Sequence, residues 1–139
     1  MSIEADIALF NKRLNDAIFE TLDKEVLEAA RDAIREQLNS YDWTMSRGGA
    51  TGSGGLRDRT QIKGETWSEG DLFILQVTDE AEFQDGPLHA GDTLTEAVEQ
   101  GDSAYKMPGP RPFMHPAEEA LGNGIFSSVL MRGLHSRGF

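Results

Sequence analysis

Ile3, Ile7, Phe10, Leu14 and Ile18 step by four and three, and Val26, Ala30, Ile34 and Leu38 repeat by four. In a helix of about 3.6 residues per turn this spacing lays the apolar side chains on one face, so the first 38 residues read as helical. Glu, Lys, Arg, Leu and Ala fill the other positions, and their helix propensity agrees with the pattern. Thr21-Leu22-Asp23-Lys24 interrupts the run, with Asp23 available as an N-cap for a second helix beginning at Lys24. One bent helix and two helices both satisfy the spacing.

The next stretch has almost nothing to bury. Ser46 to Gly55 reads Ser-Arg-Gly-Gly-Ala-Thr-Gly-Ser-Gly-Gly, and ordering it costs backbone entropy with little return. A mobile loop over 44–60 is expected, ordered only when a partner supplies the missing burial. Gln61 to Trp67 and Leu72 to Thr78 read as two strands of an antiparallel hairpin around Ser68-Glu69-Gly70-Asp71. Phe73, Leu75 and Val77 share one face while Leu72 and Ile74 add apolar bulk to the other, which predicts a strand covered on both sides. Asp79 to Thr95 is an acidic excursion broken by Gly86-Pro87 and Gly91, and Leu94 to Val98 fits a short strand or one helical turn. Pro116 opens a final helix, with His115 before it as cap and Glu118 and Glu119 in its first turn, where the helix dipole favours carboxylates. Leu121, Ile125 and Val129 continue its apolar face to a stop near Gly133, so the helix spans about 116–134. The order helix, loop, strands, helix predicts a single α+β domain: a helical region over 1–40, a small antiparallel sheet within an acidic region at 61–105, long loops, and a carboxy-terminal helix packed on the sheet.

Charge is as unevenly distributed as structure. Gly64 to Tyr105 holds eleven of the 24 acidic residues and no lysine or arginine, and the remaining thirteen acids balance the thirteen bases, so the whole net charge of -11 sits in that one stretch. Asp79, Glu80, Glu82, Asp85, Asp92 and Glu96 lie in it and are expected to form an acidic surface. Such a surface repels polyanions, and a pI near 4.6 excludes a grip on nucleic acid through phosphates, although DNA can still pass nearby. A chain of 139 residues buries one core, and the absence of cysteine removes disulfides, thiolate metal sites and thiol nucleophiles. The longest apolar run, Leu72 to Leu75, is too short to span a membrane, and Glu4 and Asp6 stand where a secretion signal carries basic residues. A soluble, non-secreted protein is expected.

Chemical motifs are sparse. The glycine loop lacks the lysine and following serine or threonine of a phosphate-binding loop, and no strand precedes it. His89, His115 and His135 show no pair spaced by four, the arrangement that sets two imidazoles on one helix face for zinc. His115, Glu118 and Glu119, joined by His89 or Asp92, compose the one imidazole and carboxylate set from which a small metal-dependent hydrolase can be imagined. Asp79, Glu80, Glu82 and Asp85 lack the alternation of a calcium loop. Ser127 and Ser128 have no nucleophile elbow around them, and Trp43 and Trp67 suit a core as well as an interface.

Three short elements follow one another in order: Thr51-Gly52 with Leu56-Arg57, then Val98-Glu99-Gln100-Gly101, then Arg111-Pro112-Phe113-Met114-His115-Pro116-Ala117. With the amino-terminal helical region and the strands, they resemble the neck and tail-completion proteins of long-tailed bacteriophages, whose forms are Thr-Gly-x-Leu-Arg, Val-Glu-Phe-Gly-Thr and Arg-Pro-Phe-Leu-x-Pro-Ala. The resemblance covers residues 51 to 121. It departs at Gly54-Gly55, an insertion, and at Gln100 and Asp102, which replace an aromatic residue and a threonine. It implies a structural virion protein in a ring at the head–tail junction, as a neck, tail-completion or tail-terminator component, without catalysis, metal or cofactor. The implied partners are other copies of the chain, six or twelve in number, and neighbouring neck, head-completion or tail-tube proteins. Leu56, Arg57, Arg59, Val98, Glu99, Gly101, Arg111, Pro112, Phe113 and Pro116 become motif and interface residues. In a ring, the acidic stretch would line a channel that DNA slides through, and Arg57, Arg59, Lys63 and Arg111 would meet acids of the next copy. The metal-dependent hydrolase and a monomeric acidic protein-binding module are the alternatives from other classes, the module binding a basic partner.

Overall fold

The computed structural model describes residues 3–41, 43, 54–82, 94–101 and 110–139. The predicted amino-terminal helix is one continuous rod: α1 (Ile3–Thr21) runs through a wide π-turn (Leu22–Val26) into α2 (Leu27–Asn39). Asp23 is therefore not an N-cap. Thr21 and Val26 keep right-handed helical dihedrals, and the extra residue of the wide turn is absorbed without a break. The Asp23 carboxylate instead accepts a hydrogen bond from the Thr66 hydroxyl at 2.9 Å, joining the rod to the sheet.

The hairpin forms as the alternation predicts, with β1 (Ile62–Glu69) and β2 (Leu72–Asp79) antiparallel and Ile62 opposite Asp79. Its loop is Gly70-Asp71 alone, shorter than the four residues expected, because Ser68 and Glu69 remain paired with Phe73 and Leu72. Phe73, Leu75 and Val77 face the rod, with Phe19 and Phe73 in edge contact at 5.1 Å between ring centres. The opposite face is open, contrary to the expectation of two covered faces: Leu72 is 61% exposed. Leu94–Gln100 resolves to a helix, α3, so the acidic region is not wholly β.

The carboxy-terminal helix is divided. α4 (Met114–Ala120) and α5 (Phe126–Ser136) flank Leu121–Ile125, where Asn123 (φ -82°, ψ 38°) and Gly124 (φ 95°, ψ -14°) leave helical geometry. α4 lies along α2 and α5 returns along α1 and the π-turn, while the hairpin also packs on α2 and the π-turn. The carboxy-terminal helix and the sheet thus share the amino-terminal rod as support, and the α+β architecture is helices backing a two-stranded sheet. No helix among the described residues is long and apolar enough to cross a membrane.

Two features hold α5 against the rod. Arg137 donates to the Gly133 carbonyl at 2.9 Å and pairs with Glu25 at 3.0 Å and with Glu20 at 3.6 Å. Gly133 leaves room for Thr21: a Cβ there would stand 2.3 Å from Thr21 Cγ2 and 3.0 Å from its Oγ1. Thr21 is itself buried and donates to the Ala17 carbonyl at 2.7 Å, so neither side gives way freely. Gly133→Ala is expected to lower unfolding free energy by about 1–3 kcal/mol through overpacking, read from urea denaturation, whereas Gly122→Ala, with open space around it, leaves the midpoint within error or raises it.

Candidate functional site

The sequence elements that carry the resemblance converge on one apolar cluster. Leu56, Val98 and Phe113 are each 0% exposed, and they pack with Leu38, Ile62 and Leu94. Phe113 is thus a core residue of its own chain, and Leu56 lies in no loose loop: of the expected loop 44–60, residues 54–60 form a compact turn. The cause is Asp58, whose carboxylate accepts from the Gly54 N–H at 2.7 Å and from the Thr60 N–H and hydroxyl at 2.9 and 2.7 Å. These bonds, the Gly54 N–H first, hold the Asp58 carboxyl below the usual carboxylate range. Thr51, Gly52 and the remainder of the loop lie outside the described residues.

The second and third elements bind each other directly. The Arg111 N–H donates to the Val98 carbonyl at 2.9 Å, and the Glu99 carboxylate accepts from the Met114 N–H at 2.9 Å and, more weakly, the Phe113 N–H at 3.4 Å. Glu99 therefore caps α4 from a distance, satisfying amides at its first turn and placing negative charge at the positive end of its dipole. His115 is not the cap: it sits inside the first turn, exposed, and pairs with Glu119 at 3.0 Å. Pro116 falls in that same turn, where its missing N–H leaves no gap in the ladder. Gly101 ends α3 with φ 84°, a left-handed conformation that explains a glycine after Val-Glu-x. Tyr41 donates to the Pro112 carbonyl at 2.8 Å, and the Arg111 guanidinium lies 4.7 Å from the centre of the Trp43 ring.

The basic residues expected at an interface have partners within the chain. Arg59 pairs with Asp32 at 2.8 Å and with Glu28, Arg57 donates to Asn39 Oδ1 at 2.9 Å, and Lys63 pairs with Glu80 at 3.0 Å. These are surface contacts, which contribute little to stability.

Of the expected acidic surface, Glu80, Glu82 and Glu96 are exposed, and Asp85 and Asp92 lie outside the described residues. Asp79 belongs to the interior instead: it is 5% exposed, accepts from the Ala81 N–H at 3.1 Å through Oδ1, and has no hydrogen-bond partner at Oδ2 among the described residues. The period of two along β2 carries it to the covered face with Val77. Its own carbonyl accepts from the Thr95 hydroxyl at 3.0 Å, and Leu94 N–H donates to the Ala81 carbonyl at 2.8 Å, so the end of β2 is tied to the start of α3. The same cluster supports Trp43 and Leu56, which flank 44–53, and Val98 and Phe113, close to either side of 102–109.

Among the described residues no group of three histidine, aspartate or glutamate side chains is placed to hold a metal ion. His89 and Asp92 lie outside them, and Ser127 and Ser128 are exposed. No family model matches the chain, and neither curated proteins nor solved structures provide a match. Sequence reasoning missed Asp58, although Asp-x-Thr after a glycine run is a turn signal, and it missed Glu99 as a cap because the capped helix is 15 residues away.

Burial raises the Asp79 carboxyl to about 7, against the pull of the Ala81 N–H and with a smaller push from Asp58. Folded Asp79 thus keeps its proton over a range in which the unfolded chain, near 3.8, has lost it. In that window the folded state binds more protons, so this group's contribution to stability falls as pH rises from about 4 to about 7 and is level above, by up to roughly 4 kcal/mol. Asp79→Asn keeps the acceptor for Ala81 and removes the charge. Its urea midpoint is expected to gain on the parent's steadily across that window; a constant offset between the two would contradict the assignment. Glu99→Ala is expected to cost about 1–2 kcal/mol and to increase amide exchange at Phe113 and Met114 first.

Proposed function

We propose that this chain is a structural virion protein that assembles into a ring at the head–tail junction of a long-tailed phage, as a neck, tail-completion or tail-terminator component. The observation that carries the reading is the meeting of Leu56, Val98 and Phe113 in one core, with Glu99 capping the helix that the Arg-Pro-Phe element starts. Elements that resemble a family in order along the chain are here parts of one packing unit, as parts of a shared fold have to be.

Surface composition supports assembly. Ile7, Leu9 and Phe10 on α1, with Ile125, Phe126 and Met131 at the other end of the chain, are large apolar side chains 39 to 57% exposed. Exposed large apolar side chains of this kind are available to a contact with a neighbouring molecule. Exposed Glu65, Glu69, Glu80, Glu82 and Glu96 give the hairpin and α3 a negative surface, suited to a channel through which DNA passes without adhering.

Negative-stain electron microscopy of the purified protein tests the reading. Annular particles of six or twelve subunits with a central hole wider than duplex DNA, about 20 Å, are expected, together with no retention of duplex DNA at physiological salt. Compact monomeric particles at high concentration, or tight DNA binding, would contradict it.

A further inference from the structure

Asn123 and Gly124 stand at the break between α4 and α5, and they are the one Asn-Gly pair in the sequence. A side-chain amide is followed there by a residue without Cβ, so the Gly124 nitrogen approaches the Asn123 side-chain carbonyl with no substituent in the way. A regular helix prevents such an approach. It holds ψ at about -42° and commits each N–H to the carbonyl four residues earlier.

The break leaves that geometry. Asn123 has ψ 38° and Gly124 has φ 95°, and both residues are exposed. No residue of Leu121–Ile125 is buried, and nothing stands within 4 Å of a Cβ added at Gly122 or Gly124, so no packed neighbour resists rotation about the Asn123 ψ bond. The other asparagines are placed differently. Asn11 and Asn15 lie inside α1 and precede Lys12 and Asp16, while Asn39, the last residue of α2, precedes Ser40 and accepts from Arg57 at 2.9 Å through Oδ1.

We propose that Asn123 is a site of spontaneous covalent modification, in which the Gly124 nitrogen converts it to a cyclic imide that opens to aspartate and isoaspartate. The Gly124 N–H gives its proton to hydroxide, and the nitrogen attacks Asn123 Cγ. The new N–Cγ bond closes the ring, the Cγ–Nδ2 bond breaks, and Nδ2 leaves as ammonia. Water then adds to either ring carbonyl. Opening at Cγ leaves aspartate at position 123, and opening at the main-chain carbonyl carbon leaves isoaspartate. Water and hydroxide are the only co-reactants. Either product adds one negative charge to the chain's -11, and isoaspartate also routes the main chain through Cβ, lengthening the connection between α4 and α5 by one methylene. Ile125 and Phe126, 48% and 39% exposed, follow directly, so the charge arrives beside apolar surface. The chemistry needs this chain alone and is independent of the proposed function.

Purified protein held at mildly alkaline pH, sampled over time by ion exchange, peptide mass mapping and an isoaspartate assay, tests the proposal. An acidic species is expected to accumulate faster as pH rises, with the mass change confined to the peptide that contains Asn123. Its rate is expected to fall within about tenfold of that in the urea-unfolded chain, because no packing has to open first. Asn123→Gln abolishes the species, and Gly124→Ala slows it about tenfold or more. A folded-state rate about a hundredfold or more below the unfolded one overturns the proposal, since the break would then protect Asn123 as a helix does. Conversion of Asn11, Asn15 or Asn39 at the same rate overturns the assignment to this site. An unchanged rate in Gly124→Ala, with no isoaspartate formed, overturns the ring closure in favour of direct hydrolysis of the side-chain amide.

Discussion

Burial of Phe113 against Leu38, Leu56 and Val98 is the contact on which the rest of the fold rests. Each of these residues is fully enclosed, and each comes from a different part of the chain. Leu38 ends the rod, Leu56 closes the turn before the hairpin, Val98 lies on α3, and Phe113 immediately precedes α4. Apolar burial has no direction of its own, so the cluster alone would tolerate many arrangements. The polar bonds around it select one: Glu99 to the first amides of α4, Arg111 to the Val98 carbonyl, and Asp58 across its own turn.

The same cluster explains why the long connecting segments are tolerated. The described residues at their ends are fixed near the core, the Leu94 N–H by the Ala81 carbonyl and the Arg111 N–H by the Val98 carbonyl. Asp79 sits at one such foot. A buried carboxyl that keeps its proton to about pH 7 is costly in its charged form, and its position ties the stability of that foot to proton concentration.

Much of this was legible in the residues. The four-and-three spacing gives the rod, alternation gives the hairpin, and Pro116 with Leu121 and Val129 gives the carboxy-terminal helix. Periodicity reports which face is buried and says little about what buries it. The π-turn was hidden because Asp23 satisfies cap chemistry in sequence while the helix needs no cap there. Charge read along the chain places Asp79 among the exposed acids, whereas strand pleating decides which side chains turn inward. The capping role of Glu99 and the intrachain partners of Arg57, Arg59 and Arg111 depend on distant segments meeting, which no local pattern encodes.

The large apolar side chains exposed on α1 and at Ile125, Phe126 and Met131 are what the proposal of self-assembly rests on. Self-assembly is the central claim, and copy number tests it most directly. Native mass spectrometry across a concentration series is expected to show a metal-free closed assembly of six or twelve copies. A bare monomer throughout would contradict self-assembly, and a monomer with one bound metal ion would return the chain to the hydrolase reading.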